Sequence, residues 1–243
     1  MRAPLDNDPM RREWFGAHLH DYETKVYGSS LKKGADGRVQ ITACLGFVWS
    51  SHQPFMYGTV TYTIGKTGEL GIEFDFTATR KLFMLPRIGL RFFVDKNYDK
   101  IEYFGYGPTE SYIDKHQATW AGIFNQKVSD QYEPYIRPQE NYSHYGCRYV
   151  KLCGKNADIL VTGTDTVHSR QKYISFNASR YTQEELWTKR HNWELQKSDC
   201  TVFCVDWAMA GVGSNSCGPA LATKYRIQLP QVKGKINCNF KTK

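Results

Sequence analysis

The sequence lacks the features that mark several large protein classes. Its 243 residues hold seven cysteines, an odd number, with no Cys-x-x-Cys pair. That argues against a disulfide framework and a thiolate metal site, and free thiols fit a reducing cytoplasm. Cys200 and Cys204 would share one face of a strand, roughly 13 Å apart, too far for a disulfide or a shared metal ion. No apolar run approaches the length that spans a bilayer, and the first residues lack the apolar core of a secretion signal. Without secretion, the Asn-x-Ser patterns at Asn141 and Asn177 carry no glycosylation reading. The net charge is +8, yet Lys and Arg are scattered, with no dense run and no nucleic-acid motif. The basic balance therefore reads as a solvated surface, with neither nucleic acid nor membrane as partner. The seven histidines form no metal-ligand pattern. His18 and His20, two apart on a predicted helix, point to different sides.

What is present fits a globular β-protein. Hydrophobic residues make up 41% and charged residues 23%, so the chain can bury a large core. Sixteen tyrosines and six tryptophans suit sheet faces or a sugar-binding surface. A helix is predicted from Pro9 to about Tyr22, with Asp8 as cap and Pro9 in the first turn. Strands are predicted at 38–49, 55–64, 87–95, 146–152, 158–162, 172–178, 200–209 and 224–229. Leu70, Ile72, Phe74 and Phe76 alternate with Gly71, Glu73, Asp75 and Thr77, the period of a half-buried strand, and Gly65–Gly68 supplies the hairpin turn. Thr182 and Glu185 form a capping box for a helix over 184–191. Residues 105–143 show little regular pattern, as in a segment that is functional or packs on a neighbour. With ten or more strands, a single antiparallel domain should split into two packed sheets.

Three loop strings stand out: Arg2-Ala3-Pro4-Leu5-Asp6-Asn7-Asp8, Tyr103-Phe104-Gly105-Tyr106-Gly107-Pro108-Thr109-Glu110-Ser111-Tyr112, and Gly211-Val212-Gly213-Ser214-Asn215-Ser216-Cys217-Gly218-Pro219. A fourth, longer string runs from Ser129 to Asn141 and includes Tyr132-Glu133-Pro134-Tyr135. With Leu85–Leu90 and Phe176–Thr182, they occur in an order that resembles the C-terminal, or small-chain, domain of bacterial β-galactosidases of glycoside hydrolase family 2. The resemblance runs from Arg2 to about Leu229. It implies an all-β, large antiparallel supersandwich of galactose mutarotase type with two short helices. The family's domain normally begins several strands earlier, so an open sheet edge is expected.

The resemblance also implies a function. The two catalytic glutamates would lie on a barrel domain or separate large chain, the expected partner. This domain would contribute Gly213, Ser214, Asn215, Ser216 and Cys217 to the active-site rim, with Asp6, Asn7, Asp8 and Arg11 near the mouth. Some relatives carry a sugar-stacking Trp where this chain has Cys217. The substrate would be a terminal β-galactoside. No cofactor is expected on this chain, while Mg²⁺ and Na⁺ would serve the whole enzyme. Two other readings remain open: a stand-alone carbohydrate-binding module, and a mutarotase-like epimerase using His168 or His144 with a carboxylate. Glu110 is the most tempting local carboxylate, although a turn-holding role accounts for it. Tyr132, Tyr135 and Asn141 would line a sugar-binding face or satisfy a buried polar network.

Overall fold

The computed structural model describes the chain except residues 5–8, 51–52, 81, 83, 169 and 214–220, and the Pro9 side chain. Asp6, Asn7, Asp8, Ser214, Asn215, Ser216 and Cys217 thus lie outside the described residues.

Two antiparallel sheets carry the fold. The larger runs, in spatial order, through β1 (Glu23–Lys33), β2 (Val39–Val48), β3 (Met56–Ile64), β4 (Glu69–Ala78), β14 (Gln231–Thr242), β10 (Ala157–Asp165), β9 (Tyr149–Cys153), β6 (Lys100–Gly107) and β7 (Trp120–Lys127), with β11 (Arg170–Lys172) also pairing β10. The smaller is β5 (Arg87–Asp95), β13 (Cys200–Met209), β12 (Ile174–Ser179) and β8 (His144–Cys147). The helices are α1 (Pro9–Gly16) and α2 (Gln183–Thr188). The all-β class, the two sheets and the two short helices agree with the sequence.

The core has two lobes that meet at Trp207. One gathers Trp14, Phe55, Phe74, Phe76 and Met84, and the other Tyr103, Val150, Leu152, Phe176 and Phe203. The alternation in β4 works as expected: Ile72, Phe74 and Phe76 are buried while Glu73 is exposed. By contrast, all eleven residues of β1 are exposed. It pairs with β2 alone and forms an outer edge of the larger sheet.

Several predicted boundaries change. The first helix ends at Gly16 rather than near Tyr22, because His18 takes a positive φ of 56° and the chain turns back through Leu19 N–H donating to Trp14 O. His18 and His20 are therefore not on a helix. His18 stacks on Trp49, and both imidazoles approach Asp21.

The predicted strands at 146–152 and 172–178 each divide between the two sheets. Arg148 separates β8 from β9, and Tyr173 separates β11 from β12. Buried Cys147, Val150 and Leu152 flank the first break and enter one core lobe, whereas at the second the largely exposed β11 and Tyr173 give way to the buried run that starts at Ile174. Residues 224–229 form a 3₁₀ turn (Thr223–Tyr225) and irregular chain instead of a strand. The last strand of the larger sheet is β14, which buries Val232, Gly234, Ile236 and Cys238 in alternation. Strand β7 lies within the stretch read as irregular, and Tyr103–Gly107 of the second loop string is the end of β6. The second helix stops at Thr188. Thr182 Oγ1 accepts Glu185 N–H as expected, but the Glu185 carboxylate accepts Gln196 N–H.

Every residue of β12 is buried. Ile174, Phe176 and Ala178 enter the core. The alternate residues Ser175, Asn177 and Ser179 are also buried, and Asn177 Nδ2 donates to Asn141 O at 2.8 Å. The segment carrying the Tyr-Pro string thus lies over the back of the smaller sheet.

Candidate functional site

The three loop strings converge. Asp114, two residues beyond the second string, accepts Val212 N–H at 3.0 Å and Gly213 N–H at 2.8 Å, one on each carboxylate oxygen. Arg2 of the first string donates from Nη2 to Gly211 O at 3.1 Å, and Gly211 N–H donates to Tyr225 O. On the far side of residues 214–220, the Arg226 guanidinium donates twice to Leu221 O. Both flanks of that stretch are therefore held by charge-assisted hydrogen bonds, the stronger kind.

The residue choices follow from this geometry. A β-carbon at Gly211 would fall 2.6 Å from the Asp114 carboxyl carbon, so only glycine admits the clamp. Arg2 is fully buried with its guanidinium 4.9 Å from the Trp14 ring centre, a cation–π contact that offsets part of its desolvation. Tyr112, Met209 and Val212 form a small apolar cluster beside the clamp. A β-carbon at Gly213 would sit 3.8 Å from Met10 Cε, which sets α1 beside the loop root. Arg11, next along α1, lies over Phe15 with its guanidinium 5.2 Å from the ring centre. Of the expected rim residues, the structure thus places Gly213 and the α1 segment side by side.

Glu110 holds the neighbouring turn. It accepts from the Tyr112 and Tyr135 hydroxyls, at 3.2 and 2.5 Å, and from Tyr142 N–H at 2.9 Å. Burial raises both phenols above their ordinary value, so they stay protonated donors. This is the turn-holding role, extended from backbone to side-chain partners. Tyr132 packs against Tyr181 with the rings tilted, and Asn141 Oδ1 accepts Glu133 N–H. The Tyr-Pro string serves a polar network, the second of its two readings.

His144 is fully buried and lies in a one-directional chain. Its Nδ1 pairs with the Tyr103 hydroxyl at 3.0 Å and its Nε2 with Gln131 Oε1 at 2.7 Å. Gln131 donates on to Gln126, which donates to Pro108 O. The amide oxygen can only accept, as can the Tyr106 carbonyl 3.4 Å from Nδ1; the much shorter Gln131 contact assigns the proton of the neutral ring to Nε2, and Nδ1 accepts the tyrosine. Burial pushes the imidazole down to about 3. Buried, and with both nitrogens engaged, His144 has neither the access nor the free nitrogen that acid–base work on a sugar requires. His168 is exposed and meets Asp165 at 2.9 Å within the same turn. Among the described residues no three His, Cys, Asp or Glu side chains gather as a metal site, every cysteine is free, and no helix is long and apolar enough to cross a membrane.

Against known proteins, the sequence profile of the family described as "Beta galactosidase small chain" matches residues 1–240. The chain belongs to that family. A β-galactosidase from Actinobacillus pleuropneumoniae is 37% identical over 240 residues, covering 98% of this chain and 23% of that protein. One from Staphylococcus xylosus is 31% identical with the same coverage. The chain thus spans about a quarter of the length of these relatives. Among solved structures, a putative aldose 1-epimerase from Escherichia coli aligns with 88% of this chain and 69% of its own, at a TM-score of 0.40 and 8% identity.

Asp114 is the small-chain residue that the sequence did not announce. It lies in a stretch without periodicity, and its partners are 98 and 99 residues away. Its only local signal is a carboxylate just after a turn string.

Proposed function

We propose that this small chain is the non-catalytic C-terminal part of a β-galactosidase. It packs beside a catalytic barrel that carries the two glutamates, and presents the loop after Gly211 to the mouth of the active site. The observation that supports this reading is the joint fixation of Gly211, Val212 and Gly213 by Arg2 and Asp114, in a chain related along nearly its whole length to one segment of much longer β-galactosidases.

A fixed root positions a rim in advance, so that residues beyond it meet a substrate without an ordering cost. Gly213, Ser214, Asn215, Ser216 and Cys217 would form that rim, with Asp6, Asn7, Asp8 and Arg11 beside it. A thiol at Cys217 offers less ring contact than an indole, so aglycone binding would be weaker there or supplied elsewhere. The substrate is a terminal β-galactoside such as lactose, hydrolysed with retention in the cytoplasm. Mg²⁺ and Na⁺ would serve the rest of the enzyme.

The test is hydrolysis of a β-galactoside by the pure chain, alone and after mixing with the barrel-containing remainder from the same source. Activity only on mixing is expected. Turnover by the chain alone that is lost in Glu110→Gln would refute the proposal.

A further inference from the structure

A cavity of about 620 Å³ opens beside the loop root, between the turn that carries His168 and the chain around Tyr225. Lys172 lines it, and its ammonium stands 3.7 Å from the centre of the Trp207 ring. The indole is fixed: its Nε1 donates to Thr164 O, and a β-carbon at Gly234 would lie 2.3 Å from the ring. With the backbone of Gly234 against it and Lys172 over it, the ring has no free face for a sugar.

The ammonium itself has no carboxylate or carbonyl partner among the described residues. Asp165 is the one carboxylate among the described lining residues; its charge acts on Lys172, but no ion pair joins the two. Asp165 accepts Val167 N–H and pairs with His168, and the neighbouring Lys233 is already matched by Asp75. Tyr145 and Tyr173 also line the cavity, and no hydrogen bond joins either hydroxyl to another described residue. Burial raises the Tyr145 phenol, which keeps it a donor.

A cation held over an indole and two tyrosines in one concave space suit an acceptor-rich ligand. We infer that this cavity is a binding site for a small oxyanion, a carboxylate or phosphate carried on a hydroxylated body, with Lys172 as its charge partner and Tyr145 and Tyr173 as donors. Burial lowers the Lys172 ammonium, the direction in which an arriving anion regains lost solvation.

The test titrates the chain at fixed ionic strength with inorganic phosphate and with gluconate, read by calorimetry and tryptophan emission. Saturable binding of at least one is expected. Lys172→Met keeps the aliphatic stem over Trp207 and should weaken that binding about tenfold, the loss of one charge-assisted hydrogen bond. Lys172→Arg should retain it. Tyr173→Phe, a milder change at an exposed position, should weaken it in the same direction and keeps the test decisive if Lys172→Met lowers the melting temperature. The proposal is overturned by equal binding in wild type, Lys172→Met and Tyr173→Phe, by a response that chloride reproduces, by no saturable binding of either anion, or by tight lactose binding indifferent to Lys172.

Discussion

Arg2 and Gly211 are 209 residues apart in the chain and 3.1 Å apart in space. The guanidinium is wholly buried, stacked on Trp14, and its hydrogen bond ends on the carbonyl that precedes the two amides clamped by Asp114. One cation from the start of the chain and one carboxylate from its middle thus fix three consecutive residues near its end. Such a root is stiff because the Gly211 carbonyl and the Val212 and Gly213 amides are each committed to a charged partner.

Asp114→Ala removes both acceptors from Val212 and Gly213. The amide hydrogens of these two residues should lose exchange protection, and stability should fall by about 1–3 kcal/mol, the usual cost of unsatisfied buried donors. Amide exchange with urea unfolding checks this. In the reconstituted enzyme, a higher KM with a smaller change in kcat is expected if the root positions the rim.

His144 makes stability depend on pH. Its folded-state value is pushed down to about 3 by burial, while the unfolded chain titrates near 6.5. The unfolded state therefore binds the proton first. The stabilisation is complete above pH 6.5 and is lost as pH falls from there toward 3, by about 2 kcal/mol at pH 5. Urea midpoints at pH 7 and pH 5 should show the drop, and His144→Phe should flatten this component.

Gly105 lies in β6 where a β-carbon would fall 2.4 Å from Cys147 Sγ and 3.1 Å from Cys147 Cα. The glycine of this string serves close packing between the sheets rather than a turn. Gly105→Ala should destabilise by about 1–3 kcal/mol through overpacking, measured as a shift in unfolding midpoint. Pairing it with Cys147→Ala should recover part of the loss.

Arg87 and Asp206 form a buried two-point ion pair, with Nε and Nη2 each within 2.8 Å of a carboxylate oxygen. Asp206→Ala strands a buried guanidinium and should cost about 3–5 kcal/mol. Replacing both residues by apolar side chains of similar volume should cost far less. A double-mutant cycle by thermal or urea unfolding separates the two outcomes.

Much of this was legible in the sequence. The period-two alternation of β4, the bounds of β5 and β13, and the Thr182 cap each arise from neighbours within a few residues, so local pattern suffices to read them. The loop strings were likewise visible as chemistry, and they carry the family. The break at Arg148 was not visible, because an apolar pattern records burial and not which of two sheets provides it. Strand β1 was missed for the opposite reason: exposed throughout, it has no burial pattern to display. The clamp on Gly211–Gly213 could not be read at all, since neither Arg2 nor Asp114 carries any mark of its distant partner.

The sequence by itself determined the class of fold, most of its strands and the family, because those follow from local periodicity and from short strings of restricted backbone geometry. Tertiary structure alone decided that Arg2, Asp114 and Gly211 form one site, that His144 is a buried neutral link, and that Lys172 faces an open cavity without a direct ion-pair partner. Each of these depends on which distant groups are brought within about 3 Å, and hydrogen bonding and desolvation act only at that range.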